Sequence, residues 1–201
     1  MAIPKQIPKR IAVIGGTAYT PKTSIVGDPF DQKSWHGPQV SSAQYEKILA
    51  FARSARDEGA TILAGGKTAD NRPLGKGYYI EPTLVDDNKP SMKVDREETF
   101  GPFGVISTFS SEDAVVVLAN GTEYGLAAAL FTADITRATR VSLALQAGNV
   151  WIDSSNNSDF RVTFDGLKQS GVGRELGEAA LEAYSTIKAV HVALVLAKPD
   201  I

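Results

Sequence analysis

Residues 149–177 read NVWIDSSNNSDFRVTFDGLKQSGVGRELG, and the fold is read outward from them. Val150, Trp151 and Ile152 form a short apolar run that fits a strand. A polar, glycine-containing loop follows over 153–173. Loops longer than about 12–15 residues are usually functional or disordered. Residues 175–184 then carry a helical pattern. Upstream, 126–132 reads as a strand, and Asp134 caps a helix bearing Ile135, Ala138, Val141 and Leu145 that ends near Gly148. Residues 103–109 predict a strand, and Ser110 or Ser111 caps a helix through Ala119. Ser41, with Gln44 three residues on, opens another helix as a capping box, and Gly59 suits its C-terminal cap. Residues 61–64 read as a short buried strand, 65–77 as a glycine-rich loop, and 78–85 as extended. Strands alternating with helices predict an α/β domain built on an open, mostly parallel sheet with flanking helices.

The totals narrow the chemistry. At 201 residues the chain can bury a sizeable core. Its net charge of −2, from 21 basic and 23 acidic residues, gives no footprint for nucleic acid or an anionic membrane. With no cysteine, disulfides, thiolate metal sites and cysteine nucleophiles are excluded within these residues. The two histidines, His36 and His191, lie far apart, so no metal site is expected. The first residues lack the apolar core of a signal peptide and no run reaches the ~18 apolar residues of a spanning helix, so a cytoplasmic location is expected. Residues 11–14 followed by Gly15-Gly16 make half of a dinucleotide fingerprint, but the third glycine, the helix and the downstream acid are missing.

Six ordered motifs carry a resemblance. They are Val26-Gly27-Asp28-Pro29-Phe30-Asp31 with Gly37-Pro38; Gly65-Gly66; Gly77-Tyr78-Tyr79 with Pro82-Thr83; Glu97-Glu98-Thr99-Phe100-Gly101-Pro102; Asn120 to Leu126; and Gly166-x-Lys168-x-Ser170-Gly171-x-Gly173-Arg174-Glu175. Together they resemble the aldehyde dehydrogenase catalytic domain. The resemblance implies the second half of that domain over 22–184, an arm and short strand over 1–21, and an oligomerisation strand and tail over 185–201. It also implies that the family's cofactor domain, general-base glutamate, oxyanion-hole asparagine and cysteine nucleophile would lie upstream, and none of them has a counterpart in this sequence.

By the same resemblance, Glu98 corresponds to the glutamate that holds the nicotinamide-ribose hydroxyls, and Phe100 to the aromatic residue lining that cofactor. The loop at 153–165 corresponds to part of the aldehyde tunnel, but it departs from the family pattern. Asp153 stands where the family has asparagine, Thr163 where it has proline, and Asp165 where it has the first of two glycines. Asp159 and Arg161 sit between them. Carboxylates beside apolar groups can work as general acids or bases. The expected catalytic set is therefore Asp153, Asp159, Arg161 and Asp165, with Trp151, Phe160, Phe164, Phe100 and Glu98 binding a small-molecule ligand.

Serine without a partnered base is a poor substitute for a thiolate. The expected function is therefore not aldehyde oxidation. It is a cofactor-independent, acid/base-assisted cyclisation or isomerisation of an apolar carbonyl-bearing metabolite, in a biosynthetic pathway. The alternative is a non-catalytic partner of a full-length aldehyde dehydrogenase. No cofactor is expected. Residues 187–196 form a long apolar run that would be a liability if left exposed, so a homodimer or higher homo-oligomer through it is expected.

Overall fold

The computed structural model describes residues 9–15, 24–69 and 76–193, with backbone alone for 9–15. The expected arm before residue 9, part of the 65–77 loop and the end of the 187–196 run lie outside the described residues. The chain divides into two compact units, 1–122 and 123–201.

The first unit is built on a mixed four-stranded sheet in the order β1-β4-β3-β2. These strands are β1 (Lys9–Gly15), β2 (Thr61–Ala64), β3 (Thr83–Asp86) and β4 (Phe103–Phe109). β3 and β4 run parallel, while β1 pairs with β4 and β2 with β3 in antiparallel fashion. Helix α1 (Ser42–Asp57) covers this sheet. Ile48, Phe51, Ala52 and Ala55 on its inner face meet Ile80, Val85, Met92, Val94, Phe103 and Val105 in one buried cluster. That recurrence every three to four residues is the stripe a core-facing helix needs. β2 is half-exposed rather than buried, because it is an edge strand with a neighbour on one side only. A short helix α2 (Lys93–Arg96) precedes β4, and α3 (Glu112–Asn120) follows it with Ser111 accepting from the Ala114 N–H.

In the second unit β6 (Ala127–Leu130) runs parallel to β7 (Asn149–Ile152), joined through α4 (Ile135–Ala144). Asp134 caps α4 by accepting from the Arg137 N–H. Three two-residue strands complete two small ladders with β5 (Tyr124–Gly125). β8 (Phe164–Asp165) pairs with β10 (Arg174–Glu175), and β9 (Leu167–Lys168) pairs with β5. Helix α5 spans only Ala179–Ala183. The helix expected from 175 starts late because Arg174 and Glu175 are held in β10 and Leu176 takes a left-handed φ of 60°.

The α/β class expected from the sequence holds. Residues 187–193 are irregular and exposed, not a strand. A strand satisfies its N–H and C=O groups only against a neighbour, and this segment has none in the single chain.

Candidate functional site

The two stretches that carry the motifs fall in different units. In the first unit, α2 stops at Glu97, whose backbone turns extended. Thr99 and Pro102 are buried, while Glu98 and Phe100 are exposed, Phe100 by 69%. Phe100 has a φ of 55°, a left-handed conformation that a bulky side chain takes only when its surroundings impose it. Those surroundings come from α1. The Gln44 side-chain amide donates to the carbonyl of Thr99 at 3.3 Å and also to that of Phe100. Gly101 sits so close to α1 that a Cβ there would lie 2.4 Å from Ile48 Cδ1. Pro102 O then accepts from the Thr83 N–H at 2.8 Å, tying the turn to β3. The Ser41–Gln44 capping box is thus half-formed. Ser41 Oγ accepts from the Gln44 N–H, but the Gln44 side chain turns to the 99–100 carbonyls instead of back to the cap.

On α2, Asp95 holds one buried oxygen, Oδ2, without a hydrogen-bond partner. Its other oxygen accepts from Asn88 Nδ2, which also reaches Ser107 Oγ. Burial pushes the Asp95 carboxyl above its usual value, the Asn88 hydrogen bond opposes this, and the charge of Glu58 adds to it. A separate cleft of about 370 Å³ in this unit is lined by Ser24, Ile25, Val26, Ala64, Gly65, Glu81 and Pro82, and contains none of the expected site residues.

In the second unit, each of the three loop carboxylates has a partner. Asp153 has a φ of 53° and accepts from the Thr132 N–H at 2.8 Å, closing the β6–α4 turn. Asp159 takes two hydrogen bonds from the Arg161 guanidinium, from Nε at 2.9 Å and from a terminal nitrogen at 2.6 Å. The Arg161 side-chain bonds, then its backbone N–H, hold the Asp159 carboxyl below its usual value. Asp165 pairs with Arg174 Nε at 2.6 Å across the β8–β10 ladder. The Asp165 carbonyl accepts from Asn149 Nδ2 at 2.9 Å. Gly148 packs against the same residue so closely that a Cβ would lie 2.3 Å from the Asp165 carbonyl oxygen.

The aromatic residues divide. Trp151 is half-buried and donates its indole N–H to Asn157 O at 2.9 Å. Phe164 is half-buried in β8 opposite Glu175. Phe160 is 77% exposed, with the Arg161 guanidinium 5.6 Å from its ring centroid. Its backbone is fixed, because Phe160 O accepts from the Gly177 N–H at 2.9 Å. Sequence reading missed Gln44, Asn149 and Arg174 as the groups that hold these stretches in shape. Gln44 announced itself only as a capping residue, and Arg174 only as part of a motif. No group of three or more metal-ligating side chains gathers among the described residues, and no helix among them is long and apolar enough to cross a membrane.

A family model described as "Aldehyde dehydrogenase family" matches residues 12–190. The betaine aldehyde dehydrogenase of Beta vulgaris chloroplasts is 48% identical over 169 residues, covering 84% of this chain and 33% of the relative. An aldehyde dehydrogenase of Agaricus bisporus is 46% identical over the same length and shares. Among solved structures, a point mutant of Staphylococcus aureus betaine aldehyde dehydrogenase in complex with NAD+ superimposes with a TM-score of 0.78 at 40% identity, covering 82% of this chain and 33% of that one. A mutant of a Bacillus cereus aldehyde dehydrogenase gives 0.80 at 38% identity, covering 85% and 34%. The chain thus spans about a third of the length of the relatives it matches. These findings overturn the expected cofactor-independent cyclisation or isomerisation, since the relatives are aldehyde dehydrogenases. The physical reason lies in the loop, whose acids are tied to a backbone N–H and to two arginines.

Proposed function

The chain belongs to the aldehyde dehydrogenase family, and from that premise we propose that it forms part of a site that oxidises an aldehyde with a nicotinamide dinucleotide. In the first unit the Glu98–Phe100 turn would seat the cofactor's ribose and nicotinamide end; in the second, taken by itself, the 153–165 loop would face an aldehyde. The observation that carries the reading is the state of Phe100. Its ring is exposed although its backbone is held in a left-handed conformation by α1, between buried Thr99 and buried Pro102. Left-handed backbone at a non-glycine residue costs energy and clusters at functional sites, and here it turns an aromatic ring outward.

The groups on the turn fit such a cofactor. An exposed carboxylate accepts the two hydroxyl hydrogens of a ribose, and an exposed ring on rigid backbone offers a flat apolar contact. This replaces the expectation of no cofactor. When bound, the dinucleotide supplies a hydride acceptor. This chain's own contribution is to bind and orient it, through Glu98 as acceptor and Phe100 as platform. The sequence holds no cysteine, so on this reading the thiolate that attacks the aldehyde comes from outside these 201 residues. The same reading takes 187–196 as a strand offered to another subunit, in keeping with the exposure of Ile187, Val190 and Val192.

The test is a titration of the isotope-labelled chain with NAD+, followed at the backbone amides. Shifts confined to residues 98–100 and their contacts on α1 are expected, with binding weak because the chain carries only part of the site. Glu98→Gln and Phe100→Ala should each weaken the response. Amides of 98–100 that stay still up to millimolar NAD+ would sink the proposal.

A further inference from the structure

We infer that the 156–163 segment favours a neutral, apolar aldehyde and disfavours one bearing a quaternary ammonium group, because Arg161 occupies the face of Phe160 that such a cation would take. The inference rests on the proposal that this loop faces the aldehyde. It concerns the relatives' own names, several of which specify betaine aldehyde, a molecule that carries a trimethylammonium head.

A site for that head needs either an unpaired carboxylate or an open aromatic face. The segment has no unpaired carboxylate, and its one aromatic ring already has a cation beside it. Its one carboxylate, Asp159, is held by two side-chain bonds from Arg161. Of the flanking acids, Asp165 is paired with Arg174, and Asp153, outside the segment, accepts from the Thr132 N–H. The exposed aromatic ring, Phe160, already has a guanidinium over it at 5.6 Å. One residue thus bears on both routes, neutralising the acid with its fork and placing its own positive charge at the ring. What remains outward is apolar, namely the rest of the Phe160 ring and Val162, which is 63% exposed. The arrangement is held from behind by the Gly177 N–H on Phe160 O, and Gly177 has no room for a Cβ, which would lie 2.8 Å from Thr163 Oγ1.

The test uses two unreactive alcohols of equal shape, choline and its neutral carbon isostere 3,3-dimethylbutan-1-ol, titrated against the labelled 201-residue chain. The neutral isostere should shift the Phe160 and Val162 amides at lower concentration than choline. Arg161→Gln should tighten choline by about two- to fivefold, the scale of an exposed cation–π contact, and leave the neutral alcohol unchanged. Arg161→Lys keeps the charge and should not improve choline binding as Arg161→Gln does. Choline binding the native chain as tightly as its isostere, or Arg161→Gln leaving the preference as it was, overturns the inference while the aldehyde-side reading stands. Amides at 156–163 that respond to neither alcohol remove the aldehyde-side reading and the inference with it.

Discussion

The 97–102 turn and the 153–165 loop differ in what holds them. The turn follows the family motif residue by residue and is fixed by packing and by neutral hydrogen bonds, namely Gly101 against Ile48 and Gln44 on two carbonyls. The loop adds ion pairs, Asp159 with Arg161 and Asp165 with Arg174, to hydrogen bonds from the Thr132 N–H, Asn149 and the Gly177 N–H. Packing carries no charge for salt to screen, whereas partly exposed ion pairs are screened by it. One chain thus combines a packed framework with one that adds charge. The second kind tolerates changes in sequence, because a new acid needs only an arginine within reach.

Four substitutions can break or sharpen this contrast. Ile48→Ala should have the largest effect, destabilising the first unit by roughly 2–5 kcal/mol, since the side chain is fully buried under the turn. Hydrogen exchange would register it as lost protection in α1 and β4. Equal loss of protection in β6 and β7 would show that the two regions do not respond separately. Gly148→Ala strikes the loop, where the new Cβ meets the Asp165 backbone. A cost of about 1–3 kcal/mol in urea denaturation is expected. Asp165→Asn removes the charge opposite Arg174 and should cost about 0.5–1 kcal/mol at low ionic strength, less in high salt. Ile48→Ala should show no such salt dependence.

The smallest effect concerns pH. The Asp95 carboxyl is raised in the folded chain, so its contribution to stability is present in acid, below the ordinary carboxylate value near 3.8, and is lost as pH rises through the raised folded value. Asp159 and Asp134 are lowered, so theirs is present at neutral pH and lost as pH falls through their folded values. Asp95→Asn should therefore make the chain more stable at neutral pH and flatten the decline in stability between the two Asp95 values. Unchanged denaturation profiles across that range would show that the bare oxygen on Asp95 carries no penalty.

Much of the frame was legible in the sequence because its signals are local. Ser41, Ser111 and Asp134 each stand where a side-chain oxygen meets a backbone N–H three residues on, and Gly59 takes the left-handed position after α1. Helix α2 was not legible, since four residues show no period and Met92 at its start makes no side-chain cap. The late start of α5 was hidden because Arg174 and Glu175 answer to β8, nine or more residues upstream. The candidate site was legible as a set of residues but not as a set of partnerships. The acids at 153, 159 and 165 look available in one dimension. Only the hairpin that brings Asp165 to Arg174, and the turn that brings Asp153 to the Thr132 N–H, shows them occupied.

Among the described residues, six non-glycine positions adopt left-handed backbone: Asp87, Phe100, Asp153, Asn156, Lys168 and Leu176. For an engineer seeking a hardier protein, these positions invert the customary advice that glycine weakens a fold. At Asn156 and Leu176 no side-chain hydrogen bond described above would be forfeited, and a glycine would sit in a conformation natural to it. The gain would be partly offset by a looser unfolded chain. The balance at each position measures how much strain the fold carries there, and so how much thermal reserve remains to be recovered.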